Sequence, residues 1–431
     1  ACGGSWPSGW LRPEFPLRFV LTRSHLSMPG KVHTIVCLSS QDWGDRMWTN
    51  KQHIMSRLAK RHRVIHMDFR VSSPALFAAR ALRHDPSLAF RPKRLWSAGI
   101  IPLQGAGNLS IGSSWGPPGL GLLPHTSPLR DHFQYEQKVN IVQQYLEREG
   151  VQDAIIWVYH PGFGEAALRL KRKLLVYDCV DEYTAFPAYK NVKEWMQARE
   201  EKLCRNADLV FTTAPALYER KRTFNPQGTH YVHNVGDADH FKQAQMPSTK
   251  VPADLQALPK PVILFVGAVS NYKLNIDWML ELARTRPNHQ LALIGPIGVS
   301  DPSTNVSALK ALPNVHVLGT RDYAELPAYL KGCDVAVIPY RANEYTESVF
   351  PIKFFEYMAT GKPVVVSRLP ALEEFLGSVR VADDAPSFVA QCDDAIAGGD
   401  AGAAERIALA EANSWDSRVS KLMHLIEAKL G

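Results

Sequence analysis

The stretch from Asp334 to Pro370, DVAVIPYRANEYTESVFPIKFFEYMATGKPVVVSRLP, sets the tightest limits on the fold. DVAVIPY is a β-branched apolar run and reads as a buried strand. Pro351-Ile352-Lys353 opens a helix that carries Phe354, Phe355, Tyr357 and Met358. Gly361 stops it, and Lys362-Pro363 leads into a second strand, VVVS. This is a βαβ unit. A helix that starts at the carboxyl end of a parallel strand aims its first N–H groups into the crevice where open α/β sheets hold phosphates. Lys353 sits in the first turn, where its charge opposes the helix dipole, and a bound polyphosphate removes that conflict. Glu356, one turn on, is placed to accept hydrogen bonds from a ribose diol.

The same alternation runs through most of the chain, whose 431 residues make two domains the expectation. VHTIVCLSS, RVIHMDF, AIIWVYHP, KLLVYDCVDEY and ADLVFTTAP read as strands of a first unit, and PVILFVGAV, HQLALIGP, VHVLG, DVAVIPY, VVVS and VRVAD as those of a second. No G-x-G-x-x-G follows the first strand, which argues against a dinucleotide site of the Rossmann type there. Residues 71 to about 130 are rich in Pro, Gly and Ser and read as mostly irregular. Gln243 to Lys260 reads as a linker, so the expected domains are 28–245 and 255–410. Residues 411–431 hold Val419, Leu422, Met423, Ile426 and Leu430 at helical spacing. Residues 1–27 lack periodicity and read as a leader or cloning artefact ahead of Met28.

At these residues the chain resembles nucleotide-sugar-dependent glycosyltransferases of the GT-B fold. It is most similar to the retaining family-four group and to bacterial exopolysaccharide transferases such as the xanthan glucuronosyltransferase. P-x-K-x-x-E-Y-M-A-x-G-K-P-V-V is a recurring form of their donor-site motif. The likeness is strongest over residues 261–375 and traceable over 32–241. It implies two Rossmann-like doubly wound domains facing a cleft, with the C-terminal helix crossing back onto the first domain.

Leaving-group charge can be met by basic side chains and helix amides instead of a metal ion. The expected donor-binding residues are Gly267, Asn271, Lys273, Tyr340, Ile352, Lys353, Glu356 and Tyr357, with no metal and no cofactor. Lys273 stands where relatives place a diphosphate-binding base, although a surface lysine is the bland alternative. Asp181, just past a strand of the first domain, is the candidate catalytic base. The xanthan enzyme has its proposed base at the matching place, four residues after the tyrosine corresponding to Tyr177. Asp178 is the alternative brace for that turn, and Asp181 itself could cap the next one. Asp42, Trp43, Trp48, Asn50 and His160 are the expected acceptor-binding residues. Tryptophans packed between loop and helix, and a structural histidine, are the competing readings. Asp237-Ala238-Asp239 matches D-x-D but lies where relatives carry an N-G-V-D loop, so no metal role is assigned to it. Glu347 and Glu356 are separated by eight residues, where the family-four pair is separated by seven.

Composition narrows the partners. A formal charge of +7 is modest, and 45% apolar with 21% charged residues is globular. Basic clusters at residues 60–63, 91–94, 171–173 and 220–222 suit an anionic membrane surface, or else form solvated faces. No motif for nucleic acid appears. The six cysteines form no C-x-x-C pair, which fits a reducing cytoplasm. No uncharged apolar run reaches the roughly 18 residues that span a bilayer. The expectation is transfer from a nucleoside diphosphate sugar, with UDP favoured, to a lipid-linked saccharide or similar acceptor. The protein would be cytoplasmic and peripheral at the inner face of a bacterial plasma membrane. A GT-B nucleotide-sugar epimerase and a non-catalytic sugar- or nucleotide-binding module are the rivals.

Overall fold

Eight strands form a first sheet and six a second, in a computed structural model that describes residues 31–45, 48–90, 95, 99–298 and 301–431. The expected leader, the basic cluster 91–94 and Trp96 lie outside the described residues. The first sheet comprises β1 (Thr34–Leu38), β2 (Arg63–Ser72), β3 (Ile100–Pro102), β4 (Leu109–Trp115), β5 (Ile155–Val158), β6 (Leu174–Cys179), β7 (Leu209–Thr212) and β8 (Thr229–Tyr231). Their spatial order is β3-β4-β2-β1-β5-β6-β7-β8. All neighbours are parallel except β3 and β4. The second sheet comprises β9 (Val262–Val266), β10 (Gln290–Ile294), β11 (Val315–Gly319), β12 (Val335–Ile338), β13 (Val364–Ser367) and β14 (Arg380–Ala382). It is wholly parallel in the order β11-β10-β9-β12-β13-β14.

These orders follow from the sequence. TIVCL, IIWV, VILFV, VAVI and VVVS are apolar on both faces, as central strands covered by helices on each side must be. Strand order reverses between β1 and β5 in one sheet and between β9 and β12 in the other. Those switch points are where open α/β sheets form crevices beyond their carboxyl ends.

Residues 71–130 depart from expectation. They hold a helix, Pro74–His84, and the antiparallel β3–β4 pair. The helix is capped by the Ser73 side chain and has Pro74 in its first turn. A Ser-Pro start was present, but the surrounding Pro and Gly content masked it.

The C-terminal helix, Trp415–Leu430, packs Trp415, Leu422 and Ile426 into the apolar cluster that holds Ile35, Leu58 and Trp157 of the first sheet's side. Arg418 donates from Nη1 to the carbonyls of Val232 and His233. Its Nη2 lies 3.8 Å from the Asp178 carboxylate, and both side chains are fully buried.

Candidate functional site

Two lysines converge at the β9–β12 switch point. Lys353 opens the helix Lys353–Ala359, and its Nζ lies 4.4 Å from the Phe265 ring centroid and 5.5 Å from that of Tyr340. Lys273, in the loop after β9, places its Nζ 5.1 Å from the Tyr340 centroid and 5.8 Å from that of Tyr345. Gly267 has φ +140°, and a Cβ there would stand 2.3 Å from Lys353 Nζ. Only glycine lets the lysine lie against this turn. Among the described residues, no carboxylate comes within ion-pair distance of either ammonium. The phenol of Tyr340 is what faces both. Burial alone would raise its pKa, but Lys273 and Lys353 outweigh it and pull the phenol down. Burial lowers Lys353, and Lys273 adds to that. Burial also acts to lower Lys273, but Tyr340, Tyr272 and Asp181 reverse it and hold that ammonium above its ordinary range. The arrangement is a ready receptor for an anion.

Glu356 lies one turn along the same helix. The Tyr323 hydroxyl donates to it at 3.4 Å. Burial, reinforced by Asp237, pushes its pKa to about 8, against the pull of Lys353. Other expected donor residues lie differently. Tyr357 is buried below the crevice, where its hydroxyl donates to Val266 O at 3.1 Å and accepts from Val266 N at 2.8 Å, closing the end of β9. Asn271 donates its amide to Ser303 O at 3.1 Å. Ile352 packs against the first sheet's apolar cluster. Glu347 is exposed.

Asp181 follows β6. Its carboxylate has no hydrogen-bond or ion-pair partner among the described residues. Burial raises its pKa, while Lys51 and Lys273 oppose the rise and Glu182 adds to it. Lys273 belongs to the donor crevice, so the geometry brings Asp181 and the two-lysine site to one region. Asp178 is a buried brace: it accepts from Trp157 Nε1 at 3.3 Å and faces Arg418.

The acceptor loop is partly a structural knot. Asp42 receives Arg70 Nε at 2.5 Å and Arg70 N at 2.8 Å. Asn50 is buried and donates to Asn234 Oδ1 at 2.5 Å, while Asn234 donates to Phe350 O at 2.9 Å. Asn50 therefore links the start of its helix to the donor-motif loop instead of presenting an open amide. Trp43 and Trp48 pack on each other with centroids 5.4 Å apart, and each keeps partial exposure. His160 is buried, accepts from Gly162 N at 3.0 Å through Nδ1, and faces the Tyr189 hydroxyl at 3.1 Å through Nε2. Burial, helped by His125, pushes its pKa down to about 3. This imidazole stays neutral and holds the chain after β5. Asp237 faces Arg57 at 3.6 Å and His53 at 3.7 Å.

Sequence reasoning missed Lys51. It lies in the first turn of the helix Asn50–Leu58, is 6% exposed, and sets its Nζ 5.5 Å from the Tyr159 centroid. Burial lowers its pKa, and Asp181 then Asp178 oppose that. The available signal was its place two residues after a capping Thr49 and three before an apolar run. Two basic clusters also hold ion pairs, a surface one and a buried one. Arg63 pairs with Glu149 at 2.8 Å, and Lys221 with Glu200 at 2.7 Å.

Residues 260–397 match the family model of glycosyl transferases group 1. The glycosyltransferase TuaH of Bacillus subtilis (strain 168), whose name assigns it provisionally to teichuronic acid biosynthesis, is 26% identical over 252 residues. That match covers 55% of this chain and 62% of the relative's length. Among solved structures, sucrose-phosphate synthase from Thermosynechococcus elongatus superposes with TM-score 0.65 at 17% identity, covering 92% of this chain and 98% of that one. Anabaena HepE in complex with UDP-glucose gives TM-score 0.63 at 14% identity, covering 92% and 99%. Trehalose 6-phosphate synthase from Burkholderia multivorans gives 0.64 at 12%, covering 93% and 99%. The structural likenesses establish the two-sheet fold.

Proposed function

We infer that this chain, a GT-B glycosyltransferase by family and fold, moves a sugar from a UDP-sugar to a hydroxyl of a lipid-linked saccharide in bacterial surface-polymer synthesis. The carrying observation is the pair Lys273 and Lys353, which close on Tyr340 beside Gly267 with no acid at ion-pair distance among the described residues. A nucleoside diphosphate supplies the missing negative charge. The acceptor oxygen forms its bond to the anomeric carbon as its proton passes to Asp181. The bond from that carbon to the diphosphate oxygen breaks, and UDP leaves with the electron pair, its charge met by the two lysines. Glu356 faces the ribose diol, and Trp43 with Trp48 offers aromatic faces to the acceptor sugars.

The name of the Bacillus relative favours a surface-polymer acceptor. Among the described residues, no helix is long and apolar enough to cross a membrane. Leu76, Phe90, Leu122 and Leu129, all exposed on the first-sheet half, support peripheral contact with a bilayer. Vesicles of phosphatidylglycerol test this: binding supports the contact, and free protein at all salt concentrations opposes it.

A screen of UDP-, GDP-, ADP- and dTDP-sugars with bacterial lipid extract as acceptor tests the reaction. Mass spectrometry should find an acceptor heavier by one sugar residue with a UDP-sugar. An epimerised or free sugar with no acceptor product would contradict transfer.

A further inference from the structure

Arg220 spans the space between the Asp181 loop and the donor-motif loop. It lies in the helix Pro215–Arg222 of the first-sheet half. Its Nη1 stands 3.1 Å from Glu182 Oε2, and its Nη2 donates to Ser348 Oγ in the second half. Glu182 directly follows Asp181 and is 2% exposed. Its Oε1 accepts from the Thr184 hydroxyl at 2.5 Å, and Lys221 lies 3.5 Å from its Oε2. Lys221 also meets Glu200 at 2.7 Å, and Glu200 takes the Tyr177 hydroxyl at 2.5 Å. Thr213 Oγ1 donates to Val180 O at 3.1 Å. The Asp181 loop is therefore anchored on both flanks, and Glu182 is its charged peg.

The opposite partner is equally fixed. Asn343 caps the short turn Glu344–Glu347 by accepting from the amides of Tyr345 and Thr346 at 3.0 Å. Tyr345 meets Phe186 edge-on at 5.0 Å and Tyr272 at 5.1 Å. Ser348 is fully buried. Lys193 and Glu344 at 3.3 Å close the outer rim, but both are solvent-exposed and contribute little. Arg220, itself about two-fifths exposed, reaches two buried acceptors across this seam, beside the buried bond from Asn234 to Phe350 O. A guanidinium serves its two acceptors from a rigid planar fork, a spread that a compact lysine ammonium at the same position reproduces only in part.

We propose that Arg220 is a positioning residue that clamps the loop of Asp181 to residues 341–350, holding the acceptor-activating carboxylate in register with the anion site of Lys273 and Lys353. The clamp rests on the reading of Asp181 as the base. Misplacing a reacting group by about 1 Å can cost on the order of a hundredfold in rate.

The test compares Arg220→Ala, Arg220→Lys, Ser348→Ala and the double variant Arg220→Ala with Ser348→Ala. UDP release from the UDP-sugar selected in the screen is read beside UDP affinity. Arg220→Ala should lower kcat about tenfold to a hundredfold with UDP affinity unchanged. Arg220→Lys should restore only part of the rate. The double variant should be no slower than Arg220→Ala alone, because the two side chains form one link. A wild-type kcat in Arg220→Ala, or effects that multiply in the double variant, would overturn the clamp. If Arg220→Ala does not fold, Ser348→Ala and Arg220→Lys carry the test. Asp181→Asn runs in parallel: turnover retained there removes the base, whereas its loss with an unaffected Arg220→Ala removes only the clamp.

Discussion

Each half of the molecule sets a lysine in the first turn of a helix beside its switch point, and the two lysines live among opposite charges. Lys353, in the second half, shares its crevice with Lys273 and a tyrosine, and no acid comes within ion-pair distance among the described residues. In the first half, the acids on and around β6 are matched to cations. Asp178 faces Arg418, Glu182 faces Arg220 and Lys221, and Glu200 faces Lys221. Asp181 is the exception, unpaired but within the electrostatic reach of Lys51 and Lys273. One half is built to receive an anion. On the proposed reading, the other keeps Asp181 to exchange a proton. On the proposed reading these are the leaving-group and acceptor sides of one reaction, and charge balance separates them more clearly than shape does.

The comparison breaks most readily at Asp181. Asp181→Asn should lower kcat by about 10²- to 10⁴-fold, in the range of general base catalysis, with UDP affinity preserved in calorimetry. The matched acids of the first half give the next effect. Arg418→Met leaves Asp178 buried without its cation and should destabilise by about 3 to 5 kcal/mol, read from the urea midpoint. In the second half, removing either Lys273 or Lys353 takes away a cation with no acid to strand. Lys353→Met should therefore spare stability while weakening UDP binding by about 1.5 to 3 kcal/mol. Equal losses of stability at Arg418 and Lys353 would erase the distinction.

Two smaller effects sharpen it through pH. Burial raises the Glu356 pKa to about 8 in the folded chain, so the folded state holds a proton that the unfolded state releases. The contribution of Glu356 to stability should be fully present below about pH 4 and be lost as pH rises toward 8. Glu356→Gln should flatten that slope and melt above the wild type at pH 8.5. Lys51 opposes the burial-driven rise of Asp181. Lys51→Met should move the acid limb of the kcat/KM profile to higher pH. An unmoved limb would leave Lys51 a packing residue.

The fold was legible because it rests on local pattern. β-Branched runs apolar on both faces, with helices between them, admit little besides two parallel sheets. Lys353 was legible for the same reason, since strand, helix start and glycine stop lie within one short stretch. The remaining site depends on contacts between residues far apart in sequence, which no local pattern records. Asn50 pointed to sugar binding by type and position, yet its amide meets Asn234. Arg220 and Lys221 read as part of a surface cluster, yet they anchor the loop of Asp181. Lys51 stood beside tryptophans that drew the acceptor reading to themselves. Tyr323, which donates to Glu356, comes from an element with no motif.

The most direct measurement is thermal stabilisation by UDP, GDP, ADP, dTDP and CMP, each with and without EDTA, on the wild type and on Lys273→Ala with Lys353→Met. A ligand held by the folded state raises stability by RT ln(1 + [L]/Kd). UDP should give a shift that EDTA leaves in place and that the double variant loses while melting unliganded like the wild type. An unshifted wild type, or a UDP shift that survives removal of both lysines, would contradict the anion site of Lys273 and Lys353.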